Sequence, residues 1–87
     1  MAGQLNKVIL AAAGRIATGA PVAGEMAAVA AALAAAGFDQ VEYMECRGAG
    51  DLAPVERFDP ARPARVFAAV RLGRARLIDN VPVEAAA

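Results

Sequence analysis

The chain has no histidine, no tryptophan, a single cysteine and almost no serine or threonine. The missing imidazole removes the commonest general base and the usual partner of a serine or cysteine nucleophile. One cysteine, Cys46, excludes an intramolecular disulfide, and with no histidine beside it a structural zinc site has no ligand set. Nothing near Cys46 in sequence would lower its pKa, so it reads as a small buried apolar residue rather than a nucleophile. Long hydrophobic runs are also missing. Met26 to Ala36 is far below membrane-spanning length. Val8 to Ala13 after Lys7 is too short for a signal peptide, and Arg15 interrupts the next apolar stretch. The formal net charge is zero, which gives no global attraction to nucleic acid or to an anionic membrane. A soluble, reducing compartment, the cytoplasm, is the expectation.

What is present is apolar and small. Hydrophobic residues make up 59% of the 87, too many for a disordered segment, and the length sets one small domain, residues 1–87. A chain of this size is stable by about 0.1 kcal/mol per residue, hence several kcal/mol in all. Charge is uneven: residues 1–56 hold three basic and six acidic side chains, residues 57–87 six basic and three acidic. The positive second half is either an ordinary solvated surface or a face for an anionic substrate or an acidic partner.

Leu5, Val8, Ile9, Ala12 and Ile16 fall at helical spacing, with Asn6, Lys7 and Arg15 off the stripe. This predicts a helix over about 5–18, weakened by Gly14 and ended by Gly19 and Pro21. A second helix is predicted over about 22–36, with Met26, Val29 and Leu33 inward, Gly37 as its left-handed cap and Phe38 folded back. Val41 and Tyr43 alternate with Glu42, predicting a strand over about 41–46. On that strand Glu42 and Glu45, three apart, would face opposite sides and make a poor acid/base pair. Residues 47–63, rich in Gly, Pro and Asp, form a loop with room for one helical turn. Its Gly48-Ala49-Gly50-Asp51-Leu52-Ala53 formally fits a dinucleotide pattern. Pro54 interrupts the helix such a site needs, and Asp51 opposes phosphate.

The stretch from Arg65 to Asn80 organises the rest. Val66, Ala68 and Val70 share one face, Phe67, Ala69 and Arg71 the other; after Leu72-Gly73, Ala75 and Leu77 alternate with Arg76 and Ile78. That predicts a hairpin of strands over about 65–71 and 74–80, with Pro82 and the terminal alanines as a tail. The fold class is therefore α+β: two N-terminal helices packed on a small three-stranded antiparallel sheet ending in a β-hairpin. Arg71, Arg74 and Arg76 cluster there, as a candidate anion- or substrate-facing patch or as arginines that keep an exposed strand soluble and unpaired. For Arg76 and Asp79 an ion pair or a tie to backbone is the expectation.

Arg71-Leu72-Gly73-Arg74-Ala75-Arg76-Leu77-Ile78-Asp79-Asn80 resembles the C-terminal signature of the pantothenate synthetase (pantoate–β-alanine ligase) family, typically Ala-Arg-Leu-Gly-x-Thr-Arg-Leu-Ile-Asp-Asn. Ala75 stands where Thr is common and Val70 replaces an Ala, while Gly73, Leu77, Ile78, Asp79 and Asn80 hold the motif. The resemblance implies a lid domain, the last third or so of the family's length. Such ligases activate pantoate with ATP and Mg to a pantoyl adenylate, which β-alanine attacks to give pantothenate, a coenzyme A precursor, and AMP. The nucleotide motifs that resemblance calls for, of His-Ile-Gly-His and Met-Ser-Ser-Arg-Asn type, do not occur here, so it assigns no catalytic residue, no metal ligand and no cofactor bound by this chain alone. ATP and Mg would come only through a partner, a nucleotide-binding ligase domain or subunit. Two other readings stay open: a self-associating accessory module, a homodimer, or a small repurposed enzyme using arginine and carboxylate groups.

Overall fold

The computed structural model describes residues 2–83, with side chains from Gln4 onward. Two helices, α1 (Ala2–Ala17) and α2 (Val22–Ala35), precede three strands, β1 (Gln40–Gly48), β2 (Ala64–Leu72) and β3 (Ala75–Val83). The sheet is antiparallel in the order β1-β2-β3. Both helices lie on one face, α1 over β3 and β2, α2 over β1. The expected α+β architecture is the one observed.

The helix ends follow from backbone chemistry. After α2 the N–H of Phe38 donates to the Leu33 carbonyl at 3.2 Å and that of Gly37 to Ala34 at 3.1 Å, with Gly37 at φ 103°. These bonds satisfy carbonyls that the last turn leaves without partners. Phe38 folds back as expected and is 5% exposed. Ala20 and Gly19 close α1 in the same way on Arg15 and Ile16. That tight link holds the helices side by side.

The core lies between the helices and the sheet. Leu5, Ile9, Ala12 and Ile16 from α1 meet Val29 and Leu33 from α2 over Val66, Ala68 and Val70 of β2, which are fully buried. The alternation read in the hairpin is therefore the alternation of the fold. Gly73 and Arg74 connect the two strands, with Leu72 opposite Ala75. Gly73 sits at φ 59° and Arg74 has no positive φ, the pattern of a two-residue hairpin turn that needs glycine first.

Three expectations are corrected. First, β3 runs on through Pro82 to Val83, so Pro82 is strand rather than tail; it lies on an edge strand, where a missing N–H need cost no ladder bond. The terminal alanines lie outside the described residues. Second, residues 49–63 hold turns, bends and one isolated bridge between Arg47 and Pro54, with no helical turn. The segment is tied down instead: the Val22 N–H donates to the Glu56 carbonyl, and Arg57 to that of Gly19. Third, the register of β1 against β2 shifts between Val41 and Tyr43. This bulge places Val41 opposite Val70 on the helix side and Tyr43 opposite Ala69 on the outer side. Glu42 then reaches the outer face, the side of Glu45, instead of the opposite one.

Candidate functional site

The face of the sheet away from the helices is built in rows by strand register. Tyr43, Ala69 and Ile78 form one row, Glu45, Phe67 and Asn80 the next, and Arg47, Arg65 and Pro82 a third. At the hairpin end Arg71 stands opposite Arg76, with Glu42 beside them. The centre is apolar and the ends are charged. Ile78 is 58% exposed, and Tyr43 and Phe67 are half-buried with no helix above them. Tyr43, Phe67, Leu52, Glu45 and Arg47 enclose an open hollow of about 390 Å³.

The three arginines singled out in the sequence divide into two kinds. Arg71 Nε donates to Glu42 Oε2 at 3.0 Å, and Arg76 Nε donates to the other carboxylate oxygen. Two cations of like charge thus sit on adjacent strands because one carboxylate bridges them. The hydrogen bond from Arg76, then that from Arg71, holds the Glu42 carboxyl below its ordinary value. Glu42 in turn pushes Arg76 up. Arg74 lies in the turn, exposed, and has no ion pair among the described residues.

The other signature residues have local work within the fold. Asp79 faces the helices, where Asn6 Nδ2 of α1 donates to its Oδ2 at 3.0 Å, and its second oxygen takes the Asn80 N–H at 2.8 Å. It ties α1 to β3, residues 73 apart in sequence, so the expected tie to backbone is present together with a helix contact. Arg76 finds its ion pair in Glu42, not in Asp79, which points to the other side of the sheet. Leu77 packs against the core, and Asn80 Oδ1 accepts from Arg65 Nε at 2.9 Å. Ile78 alone among them presents a large apolar side chain outward.

Two contributors were missed in the sequence. Asp39 caps the hairpin turn, since its carboxylate accepts the Gly73 N–H and its own N–H donates to Arg71 O at 2.8 Å. An aspartate just before a strand was the available signal, but its partner lies 34 residues on. Leu52 is the other: it is 57% exposed at φ 57°, a conformation that costs a branched side chain free energy. The glycine-rich stretch that fits a dinucleotide pattern makes this tight turn. Leu52 N–H bonds the Gly48 carbonyl at 3.0 Å and Ala53 N–H bonds Asp51 Oδ1 at 3.0 Å, so no helix N-terminus is presented there. Cys46 is buried, and desolvation pushes its thiol up, as expected of an unreactive core cysteine. A wider groove between the start of α2 and residues 48–63 carries Arg57 and Arg62 against Asp51, Glu56 and Asp59, so it mixes both signs with one acidic side chain in excess. No three His, Cys, Asp or Glu side chains among the described residues gather as a metal-holding group.

The family model described as pantoate-beta-alanine ligase matches residues 1–82. The chain belongs to that family. Among similar proteins, the pantothenate synthetase of Chelativorans sp. is 49% identical over 82 residues, covering 94% of this chain and 28% of the relative. That of Dinoroseobacter shibae is 48% identical over 91% of this chain and 28% of its own length. That of Rhizorhabdus wittichii is 46% identical over 98% and 29%. The chain thus spans less than a third of the pantoate–β-alanine ligases it matches. The signature from Arg71 to Asn80 that suggested this family is, in the fold, the hairpin that joins the arginine–glutamate row to the helix tie at Asp79. No helix among the described residues is long and apolar enough to cross a membrane.

Proposed function

We propose that this domain is the lid of a pantothenate-synthetase-like, ATP-dependent amide ligase and works with a nucleotide-binding domain or subunit that carries the reactive groups. One observation supports this above the others: 91 to 98% of the chain matches synthetases of which it spans only 28 to 29%. The reaction implied has two steps. The pantoate carboxylate attacks the α-phosphorus of ATP and pyrophosphate leaves; the amine of β-alanine then attacks the acyl carbon, loses a proton, and AMP leaves with the bonding pair.

The mixed anhydride between these steps is open to water. A compact cover that moves as one piece protects it and completes the site around the second substrate. A helix pair fixed on a three-stranded sheet by a continuous core is suited to that role. Arg71 and Arg76 are already held by Glu42, so among the described residues Arg74 is the arginine of the hairpin whose guanidinium has no partner and can be offered to an anion.

The test is a chimera in which residues 1–82 replace the matching segment of the Chelativorans synthetase. AMP and pantothenate are measured from pantoate, β-alanine and ATP. The reading expects the two products in equal amounts. A folded chimera that forms no AMP, or that releases AMP without pantothenate because the adenylate is hydrolysed, would overturn it.

A further inference from the structure

We infer that the outer face of the sheet, centred on Tyr43, Phe67, Ile78 and Leu52, is the surface through which this domain docks on the nucleotide-binding part of the ligase. The inference rests on the lid reading and adds which face of the lid is covered and by what kind of surface.

Three features of the face point the same way. Its centre is apolar and unpartnered among the described residues, with Ile78 and Leu52 each more than half exposed. Its margins are ordered by side-chain hydrogen bonds and carry more positive than negative charge: Glu42 takes both Arg71 and Arg76, Glu45 takes Arg47, and the neutral Asn80 takes Arg65. Such a margin favours acidic groups on whatever lies on it, so the complementary surface is apolar at its centre and polar, with acidic groups, at its rim. Finally, Leu52 is raised at the border of the hollow on a turn that holds it in the left-handed region. Arg47 Nη1 donates to the Leu52 carbonyl at 3.0 Å, and the Gly48 N–H to the Ala53 carbonyl at 2.9 Å. Glycine at 48 leaves room for the Asp51 carboxylate, which would lie 2.2 Å from a Cβ there. A bulky apolar side chain fixed in a costly conformation and pointed at solvent is pre-set for a partner surface.

Size selects the occupant. Three strands of nine residues make a face about 30 Å by 14 Å, on the order of 400 Å² in plan. That is about half of what each partner contributes to a standard stable interface. A second copy of this chain would gain too little from it to stay bound at dilution. A domain held close by linkage or by a further contact needs less, because its effective concentration is high. More than two thirds of each matched synthetase lies outside the matched segment, which supplies such a partner.

Thiol labelling tests this. In a Cys46→Ala background, single Ile78→Cys and Ala31→Cys variants are prepared in the 87-residue chain and in the full-length chimera. Ala31 is exposed on α2, on the opposite side of the domain. Ile78→Cys is expected to label about tenfold more slowly in the chimera than in the isolated chain, with Ala31→Cys unchanged. Equal labelling of Ile78→Cys in both, or protection of Ala31→Cys instead, overturns the inference. So does protection of Ile78→Cys in the isolated chain that rises with its concentration, since the occupant is then a second copy. The two readings fail separately. A chimera that makes pantothenate while Ile78→Cys labels freely sinks the docking face alone; one with Ile78→Cys protected but no AMP formed sinks the lid reading.

Discussion

The two faces of β2 are made by the same nine residues and behave as two materials. Toward the helices stand Val66, Ala68 and Val70, without solvent exposure, and near them Asn6 makes a polar tie with Asp79. Toward the outside stand Arg65, Phe67 and Arg71, the two arginines tied sideways by side-chain hydrogen bonds, Arg65 to β3 and Arg71 to β1. The inner face holds the domain together through dispersion and the release of water. The outer face is organised but contributes little to stability, because its ion pairs are solvent-screened and its apolar side chains remain wet. A protein that keeps aromatic and branched side chains where they do not help it fold keeps them for contact with something else.

The sharpest way to break this comparison is to remove equal bulk from each side. Leu33→Ala, at a position with no exposure, is expected to lose about 2–5 kcal/mol by urea denaturation, enough to threaten the whole fold of so small a chain. Ile78→Ala on the outer face is expected within about 0.5 kcal/mol of the parent. If the two losses are similar, the outer face is structural and its apolar centre needs no partner.

Next in size is the polar tie on the inner side. Asp79→Ala leaves the Asn6 amide, part-buried, without its acceptor and is expected to lose about 1–2 kcal/mol. Removing both in Asn6→Ala/Asp79→Ala should cost less than the two single losses added together, since neither partner is then stranded. Strictly additive losses would show that the Asn6–Asp79 contact does not form in solution.

Much of the inner face could be read from the chain itself. The Ile9 and Leu33 stripes, Gly37-Phe38 after α2 and the alternation around Gly73 are local patterns, and the physics that produces each acts within a few residues. The outer face was less legible because its logic is non-local. Arg71, Arg74 and Arg76 could be named, but that Glu42 binds two of them depends on a bulge that shifts the strand by one residue. Parity counting along β1 sends Glu42 to the wrong side once that extra residue is present. Likewise nothing beside Leu52 in sequence announces a positive φ; it follows from the bridge between Arg47 and Pro54 that closes its turn.

Smaller gains should come from relieving positions that carry no contact. A Cβ at Gly14 of α1 meets nothing within 4 Å, so Gly14→Ala is expected to stabilise by about 0.5–1 kcal/mol through helix propensity alone. Leu52→Gly should also stabilise the isolated chain, by about 0.5 kcal/mol, because glycine takes φ 57° without the steric cost. Thermal melts decide both. The pair sharpens the comparison, for Leu52→Gly should weaken docking in the full-length chimera while Gly14→Ala does not.

The smallest effect is the pH response of the arginine–glutamate row. Glu42 has a folded-state pKa held below its ordinary value of 4.5, first by its hydrogen bond with Arg76 and then by that with Arg71. A depressed carboxylate favours the folded state at pH values above its unfolded pKa, and that contribution disappears as the pH falls through the folded value. NMR titration of the Glu42 side chain should therefore give a midpoint below 4.5 that moves back up in Arg76→Gln, and up to a lesser extent in Arg71→Gln. High salt should shift the parent midpoint in the same direction, because the row is exposed and screening reaches it. A parent midpoint at the ordinary value, unmoved by either substitution, would mean that the row is open in solution. Its arginines would then be released from Glu42 to a partner's acidic groups, and the hydrogen-bonded order of that margin of the outer face would be absent before docking.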